Sequence, residues 1–358
     1  MAAGTSGSRV PVRDDLVDVE VYGAPQLDVP VRLNTNETPY PPPPAFSERL
    51  ARRIGDLQLH RYPDRELRAL RAALGARFGL DAARVWAANG SNEVLAQLHL
   101  AYGGAGRRVL GTVPGFAALP TIARATGTEL VTVALDGPVY DVAPAGATSA
   151  VQHFQPHLVC LARPNNPTGT SVGLDAIRAL HDAGEALVVV DEAYAEFASD
   201  DAVGLLDELP RLVIARTFSK AFRLAGLRLG YLLAHEWVLD DLRKVRLPYH
   251  LDTITQHAGL IACDLADEVT GHIDAIVAER ERVTEALDRR GDVTVVPSDA
   301  NFLLVHSDAD DLFDRLLERG VLVRDFATAP GTPGCVRVTI GTPDENDRFL
   351  SALEEALP

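Results

Sequence analysis

Lysine is nearly missing from this chain. Of its 34 basic residues only Lys220 and Lys244 are lysines. Arginine does most of the surface work of lysine but cannot form an imine. Whatever drives the bias spared Lys220. Three cysteines, Cys160, Cys263 and Cys335, are too few and too scattered for a disulfide framework or a zinc site. Positive charge is also short: the net charge is −16, which argues against a nucleic-acid partner, since that needs a basic face. No apolar run approaches a membrane span. Met1 to Ser8 lacks a charged stretch followed by an apolar one, so no signal peptide is expected. No internal repeat is seen, and a soluble cytoplasmic enzyme is the default expectation.

The 358 residues are 47% hydrophobic, enough for one large or two moderate cores. Arg84–Ala88, Val109–Val113, Leu130–Leu135, His157–Ala162, Ala186–Val190, Leu212–Ala215 and Leu229–Ala234 read as strands. Helical patterns over Glu66–Phe78, Val94–Tyr102 and Leu174–Ala183 alternate with them. That alternation predicts an α/β fold with a doubly wound, mostly parallel sheet. The stretch 137–156 carries no clear pattern. Towards the C-terminus, helices over Asp274–Arg290, Asp311–Arg319 and Asp344–Leu357 accompany strands at Val293–Val296, Asn301–Val305, Val321–Arg324 and Val336–Ile340. These predict a small α+β domain. The expected division is residues 1–50 as an N-terminal segment packing with the small domain, 51–260 as the large domain and 261–358 as the small one.

Ligands bind open α/β sheets at the carboxyl ends of strands. Asn89-Gly90-Ser91-Asn92, Phe116, Asn166, Asp191, Tyr194 and Ser219-Lys220 all fall there. Each has a plain alternative. Ser91 or Asn92 could simply cap a helix. Asp191 could be a helix cap too, although a carboxylate at the end of the most apolar strand wants a cation or donors. Lys220 could be a solvated charge, as Lys244 is read to be. Taken together they describe one site: a lysine able to form a Schiff base, with hydroxyls and Arg228 suited to a phosphate. Asn34 to Tyr40 could line that site or serve as a linker ahead of Pro41 to Pro44. Tyr62 could pack or touch a ligand. Arg324 and Arg337, on strands, could meet an anion or lie at a sheet edge.

The motifs in order resemble the fold-type I pyridoxal-phosphate aminotransferases, and within them the histidinol-phosphate aminotransferases. The matching segments are Tyr22–Asp28, Asn34–Glu37, His60–Asp64, Ala88–Glu93, Pro164–Gly169, Asp191–Tyr194, Ser219–Phe222, Gly226–Arg228 and Val336–Thr342. They span nearly the whole chain. The resemblance implies transamination between L-histidinol phosphate and 2-oxoglutarate in histidine biosynthesis. It implies pyridoxal 5'-phosphate held as an imine by Lys220, which then shuttles the reacting proton. Asp191 would pair with the ring nitrogen, and Tyr194 and Asn166 would bond the ring hydroxyl oxygen. Phe116 would stack on the ring. Gly90, Ser91, Asn92, Thr217, Ser219 and Arg228 would hold the phosphate. Tyr62 would reach the cofactor phosphate of the other subunit in a homodimer. Arg337 with Arg324 would take the substrate's anionic end, with Asn36, Tyr40 and Asn166 around the rest; no metal is implied.

Against the family pattern, Gly115-Phe116 stands where a hydroxyl residue and Tyr are usual, Thr38 where Asn is common, and Arg163 where a small residue is. Thr38 and Arg163 bear on the substrate. An aromatic amino-acid aminotransferase, or a lyase of the same fold such as a phospho-amino-acid decarboxylase, shares most of these motifs. A non-enzymatic binding module would tolerate loss of Lys220 or Asp191, and both are present.

Overall fold

The computed structural model describes residues 10–17, 19 and 23–357. The N-terminal octet and Tyr22, both used in the sequence reading, lie outside the described residues.

A short strand, β1 (Val31–Arg32), precedes the large sheet. That sheet contains β2 (Val85–Ala88), β3 (Arg108–Val113), β4 (Glu129–Ala134), β5 (Leu158–Ala162), β6 (Leu187–Asp191), β7 (Leu212–Thr217) and β8 (Gly230–Ala234). Their order is β2-β8-β7-β6-β5-β3-β4. Only β8 opposes its neighbours; the remaining pairs are parallel. The runs β5 to β8 are buried at every residue, as strands covered on both faces must be. Successive side chains alternate between two cores. Val159, Leu161, Val188 and Val190 pack with Leu70, Ala147, Ile177 and Ala258. Leu158, Cys160, Leu187 and Val189 pack with Val94, Leu98, Ile122 and Leu239 on the other face. The expected α/β layering is therefore present.

The C-terminal part carries β9 (Val293–Val295), β10 (Phe302–Ser307), β11 (Val321–Leu322), β12 (Arg324–Asp325) and β13 (Cys335–Thr339). Four of them form an antiparallel sheet, β12-β13-β10-β9, while β11 pairs with β1 in parallel. The single strand expected over 321–324 is thus two pieces serving two sheets, parted at Val323. Other readings need correction as well. The patternless 137–156 holds the helix Pro144–Phe154. The helix expected from Glu66 begins at Arg68, because Leu67 takes a left-handed backbone with φ 54°. The divisions after residues 50 and 260 fall inside the helices Pro44–Gly55 and Thr253–Asp264. Ala258, Ile261 and Ala262 share one buried face across the second of these, so the chain has no linker there. Among the described residues no helix is long and apolar enough to cross a membrane.

Candidate active site

A cleft of about 220 Å³ opens where the carboxyl ends of β2, β3, β5, β6 and β7 meet the small antiparallel sheet. Its walls come from residues far apart in sequence, and the sheet brings them together.

One end is built for an anion. After β2 the chain turns at Asn89-Gly90 and enters the helix Ser91–Tyr102, whose first N–H groups have no intrahelical partner. Glu93 steadies this turn by accepting from the backbone N and Nδ2 of Asn89, both at 2.6 Å. Gly90 has φ 81°, and a Cβ there would stand 2.8 Å from an Nη of Arg228. A Cβ on Gly230 would lie 2.3 Å from the Ser91 nitrogen. Two glycines thus let the turn, β8 and the guanidinium converge. Arg228, at φ 51°, donates to Ser219 Oγ at 3.3 Å. Thr217 Oγ1 donates to Ser219 Oγ at 3.0 Å and accepts from the Ser219 nitrogen at 3.1 Å. Hydroxyls, helix N–H groups and a fork-shaped cation fit a phosphate.

At the centre, Asp191 ends β6 and is 7% exposed. Burial pushes its carboxyl up to about 6, against the Ala193 N–H at 3.2 Å and the charge of Lys220. Such a carboxylate suits a protonated ring nitrogen. Lys220 Nζ donates to the Thr35 carbonyl at 2.9 Å and lies 5.8 Å from the centre of the Tyr194 ring. Burial first, then the positive Arg337 and Arg228, push this amine down to about 7; Glu37 and Asp191 oppose them. A lysine partly neutral at neutral pH is a competent nucleophile and base. Tyr194 Oη accepts from Asn36 Nδ2 at 3.0 Å, and Phe116 forms a side of the cleft. Ring, nitrogen and phosphate of pyridoxal phosphate therefore each find matching residues.

The far wall is cationic. Arg324 and Arg337 stand opposite each other on β12 and β13, so their side chains leave the same face. Arg337 donates to Asn166 Oδ1 and, at 2.8 Å, to the Asn34 carbonyl. Its guanidinium sits 5.3 Å from the Phe302 ring centre and 5.5 Å from that of Phe326. Arg324 donates to the Gly23 carbonyl at 2.8 Å.

Some residues singled out in the sequence lie elsewhere. Tyr40 packs edge-on against His272, ring centres 5.8 Å apart, and does not line the cleft. Tyr62 is 79% exposed, stacked on Tyr249 at 4.3 Å, outside its own chain's cleft. Arg163 turns away from the cleft: it donates to the Val172 carbonyl at 2.9 Å and to Asp200 at 2.7 Å. Thr38 does reach the site, donating to the Lys220 carbonyl at 2.7 Å. Ala24, Thr35 and Phe326 stand in the cleft wall, and sequence reasoning assigned none of them a role of its own, although Thr35 lies in the stretch Asn34 to Tyr40 expected to line the site. Phe326 had a signal, lying two residues beyond Arg324 and hence on the same strand face. Ala24 and Thr35 lie within matching segments but offer no reactive side chain, and Thr35 contributes its main-chain oxygen.

The model of the aminotransferase class I and II family matches residues 29–353. The chain belongs to that family. The histidinol-phosphate aminotransferase of Thermobifida fusca (strain YX) is 46% identical, over 98% of this chain and 96% of its own length. The histidinol-phosphate aminotransferase of Mycolicibacterium smegmatis is 48% identical, over 96% of this chain and 92% of its own. Among solved structures, the histidinol-phosphate aminotransferase from Sinorhizobium meliloti in complex with pyridoxal-5'-phosphate superposes with a TM-score of 0.84 at 28% identity. That match covers 92% of this chain and 91% of the other. The L-threonine-O-3-phosphate decarboxylase from Porphyromonas gingivalis shares the fold, with a TM-score of 0.79 at 23% identity. The aminotransferase thus has the fold-type I architecture: a large, mostly parallel sheet and a smaller antiparallel one, with the cleft between them.

Proposed function

We propose that this aminotransferase uses pyridoxal 5'-phosphate to move the amino group of L-histidinol phosphate to 2-oxoglutarate. The products would be imidazole-acetol phosphate and L-glutamate, in histidine biosynthesis. The observation that carries the substrate is the pair Arg324 and Arg337, side by side across the cleft from Lys220. Histidinol phosphate brings a phosphate and no carboxylate; 2-oxoglutarate brings two carboxylates. One site must read both anions in turn, and two adjacent guanidiniums do so without insisting on one shape. The relatives from Thermobifida fusca and Mycolicibacterium smegmatis, both histidinol-phosphate aminotransferases, agree with this reading.

When bound, the cofactor supplies a carbonyl that takes up the amino group and a ring that accepts electron density. Ser91, Thr217, Ser219, Arg228 and the first N–H groups of the helix Ser91–Tyr102 bind its phosphate, with Gly90 giving them room. Asp191 holds the proton on the ring nitrogen. Tyr194 and Asn166 orient the ring through its hydroxyl oxygen, and Phe116 covers a ring face. Lys220 Nζ, released from the Thr35 carbonyl, takes the proton from the donor's Cα. In the second half of the cycle it returns a proton to the Cα of the product glutamate. Arg337 and Arg324 hold the anionic end so that this Cα–H faces Nζ; Asn36 and Asn166 flank them.

The same reading includes a cytoplasmic homodimer in which Tyr62 reaches the phosphate site of the neighbouring subunit. Its support is a group of exposed apolar side chains: Tyr62 stacked on Tyr249, and within three residues of them in sequence Leu59, 59% exposed, and Leu247, 72% exposed. A second reading, transamination of aromatic amino acids, is favoured by an apolar cavity of about 270 Å³ beside Phe116 and Phe326, lined also by Leu119 and Pro330. Competition decides between them. Measured kcat/KM for histidinol phosphate should exceed that for phenylalanine, histidine and histidinol. A higher value for phenylalanine would overturn the histidinol-phosphate reading and leave the second.

A further inference from the structure

Asn34 to Thr38 form a strap that is anchored before it touches the lysine. The Leu33 carbonyl accepts from the Thr339 nitrogen at 2.9 Å. The Asn36 nitrogen donates to Thr339 Oγ1 at 2.9 Å, and Thr339 Oγ1 donates to Asn36 Oδ1 at 3.2 Å. Asn301 Nδ2 donates to the Asn36 carbonyl at 3.2 Å. Asn36 holds φ 54°, a left-handed bend that a packed surrounding must enforce. Pro39 then keeps Thr38 out of helical backbone.

From this strap two groups grip one residue. Thr38 Oγ1 donates to the main-chain carbonyl of Lys220 at 2.7 Å. The Thr35 carbonyl accepts from Lys220 Nζ at 2.9 Å. We infer that Thr38 is a positioning residue for the reacting amine, clamping the backbone of Lys220 while Nζ is free to leave Thr35 and work. The inference rests on the reading of Lys220 as that amine. Thr38 bears no charge. The groups that face Nζ electrically are Arg337 on β13, Arg228 after β7, Asp191 on β6 and Glu37 on the strap. Thr38 therefore acts on the amine only by setting where it sits among them. The strap is bonded to β13 and β10's neighbour Asn301, so the clamp also ties the small sheet to a lysine carried by the large one.

The test uses the full-length protein loaded with the cofactor in its amine form, which leaves Lys220 unmodified. Brief acetylation across pH 6–10 is read by peptide mass spectrometry at Lys220. Lys244, whose side chain is 72% exposed, is the internal standard. In Thr38→Val the amine drifts toward water, so its labelling midpoint rises by about one pH unit toward the ordinary ~10.4. Thr38→Ala does the same, and kcat falls several-fold in both with little change in KM. Thr38→Ser, which keeps the hydroxyl, matches the parent. A midpoint unmoved in Thr38→Val and Thr38→Ala overturns the inference, whatever happens to thermal stability. A parent protein in which Lys220 titrates like Lys244 overturns the reading of Lys220 itself.

Discussion

Replacing Lys220 by Met should make the cofactor-free protein more stable. The amine ordinarily titrates near ~10.4, and burial with two nearby arginines holds it at about 7 in the fold. A gap of roughly 3.4 pH units, at ~1.36 kcal/mol each, is about 4–5 kcal/mol. The sign follows from proton counts. Between pH 7 and about 10 the unfolded chain binds a proton at this lysine and the folded chain does not, so the lysine's contribution to stability rises with pH across that window. At neutral pH the buried amine is therefore a burden on the fold. Met fills a similar volume without a charge, but forfeits the bond to the Thr35 carbonyl and leaves that oxygen short of a donor, roughly 1–2 kcal/mol. The net expectation is a gain of about 2–4 kcal/mol at pH 7 that closes by about pH 10. Urea unfolding, followed by the fluorescence of the buried Trp86, reads it at pH 7, 8.5 and 10. A parent more stable than Lys220→Met at pH 7, or a difference that ignores pH, would refute the account of this amine.

Other outcomes follow from the same geometry. Asp191→Asn removes the counter-ion proposed for the ring nitrogen, so the half-reaction with a saturating donor should slow by about 10²–10³ in stopped-flow absorbance; a rate within a few-fold of the parent contradicts that role. Gly90→Ala places a Cβ 2.8 Å from Arg228 at a positive φ. We expect roughly 1–2 kcal/mol of strain and visibly weaker cofactor retention on dialysis, and retention equal to the parent's would speak against the cradle. Tyr62→Ala and Lys220→Ala chains, each inactive alone, should regain activity when mixed as heterodimers, since one hybrid site holds both intact residues. Verified heterodimers without activity would remove Tyr62 from the neighbouring site.

The sheet was legible because β5 to β8 are built on near-continuous apolar runs, broken only at Asp191 and at Arg216-Thr217 where β6 and β7 end, and burial on both faces demands such runs. The cleft was legible where polar side chains at strand ends line it: Asp191 after five apolar residues, Lys220 after β7, Ser91 at a helix start. What escaped was written in backbone or in direction. The Thr35 and Asn34 carbonyls that receive Lys220 and Arg337 belong to peptide groups, which every residue has. Arg163 reads as a cation beside the cleft, yet its side chain is drawn to Asp200 and the Val172 carbonyl, contacts that exist only once the fold is made. Tyr40 follows the strap but is claimed by His272. The helix Pro144–Phe154 is rich in small residues, Ala, Gly and Ser, and so shows a weak apolar stripe. The break at Val323 arises from pairing with β1, more than 280 positions earlier in the chain, which no local pattern reveals.

The near absence of lysine makes the central claim testable in one measurement. Borohydride reduction of the cofactor-loaded protein, followed by peptide mapping, should leave a single pyridoxyl group, on Lys220. A group on Lys244, or none on either lysine, would contradict the assignment of this cleft as the cofactor site.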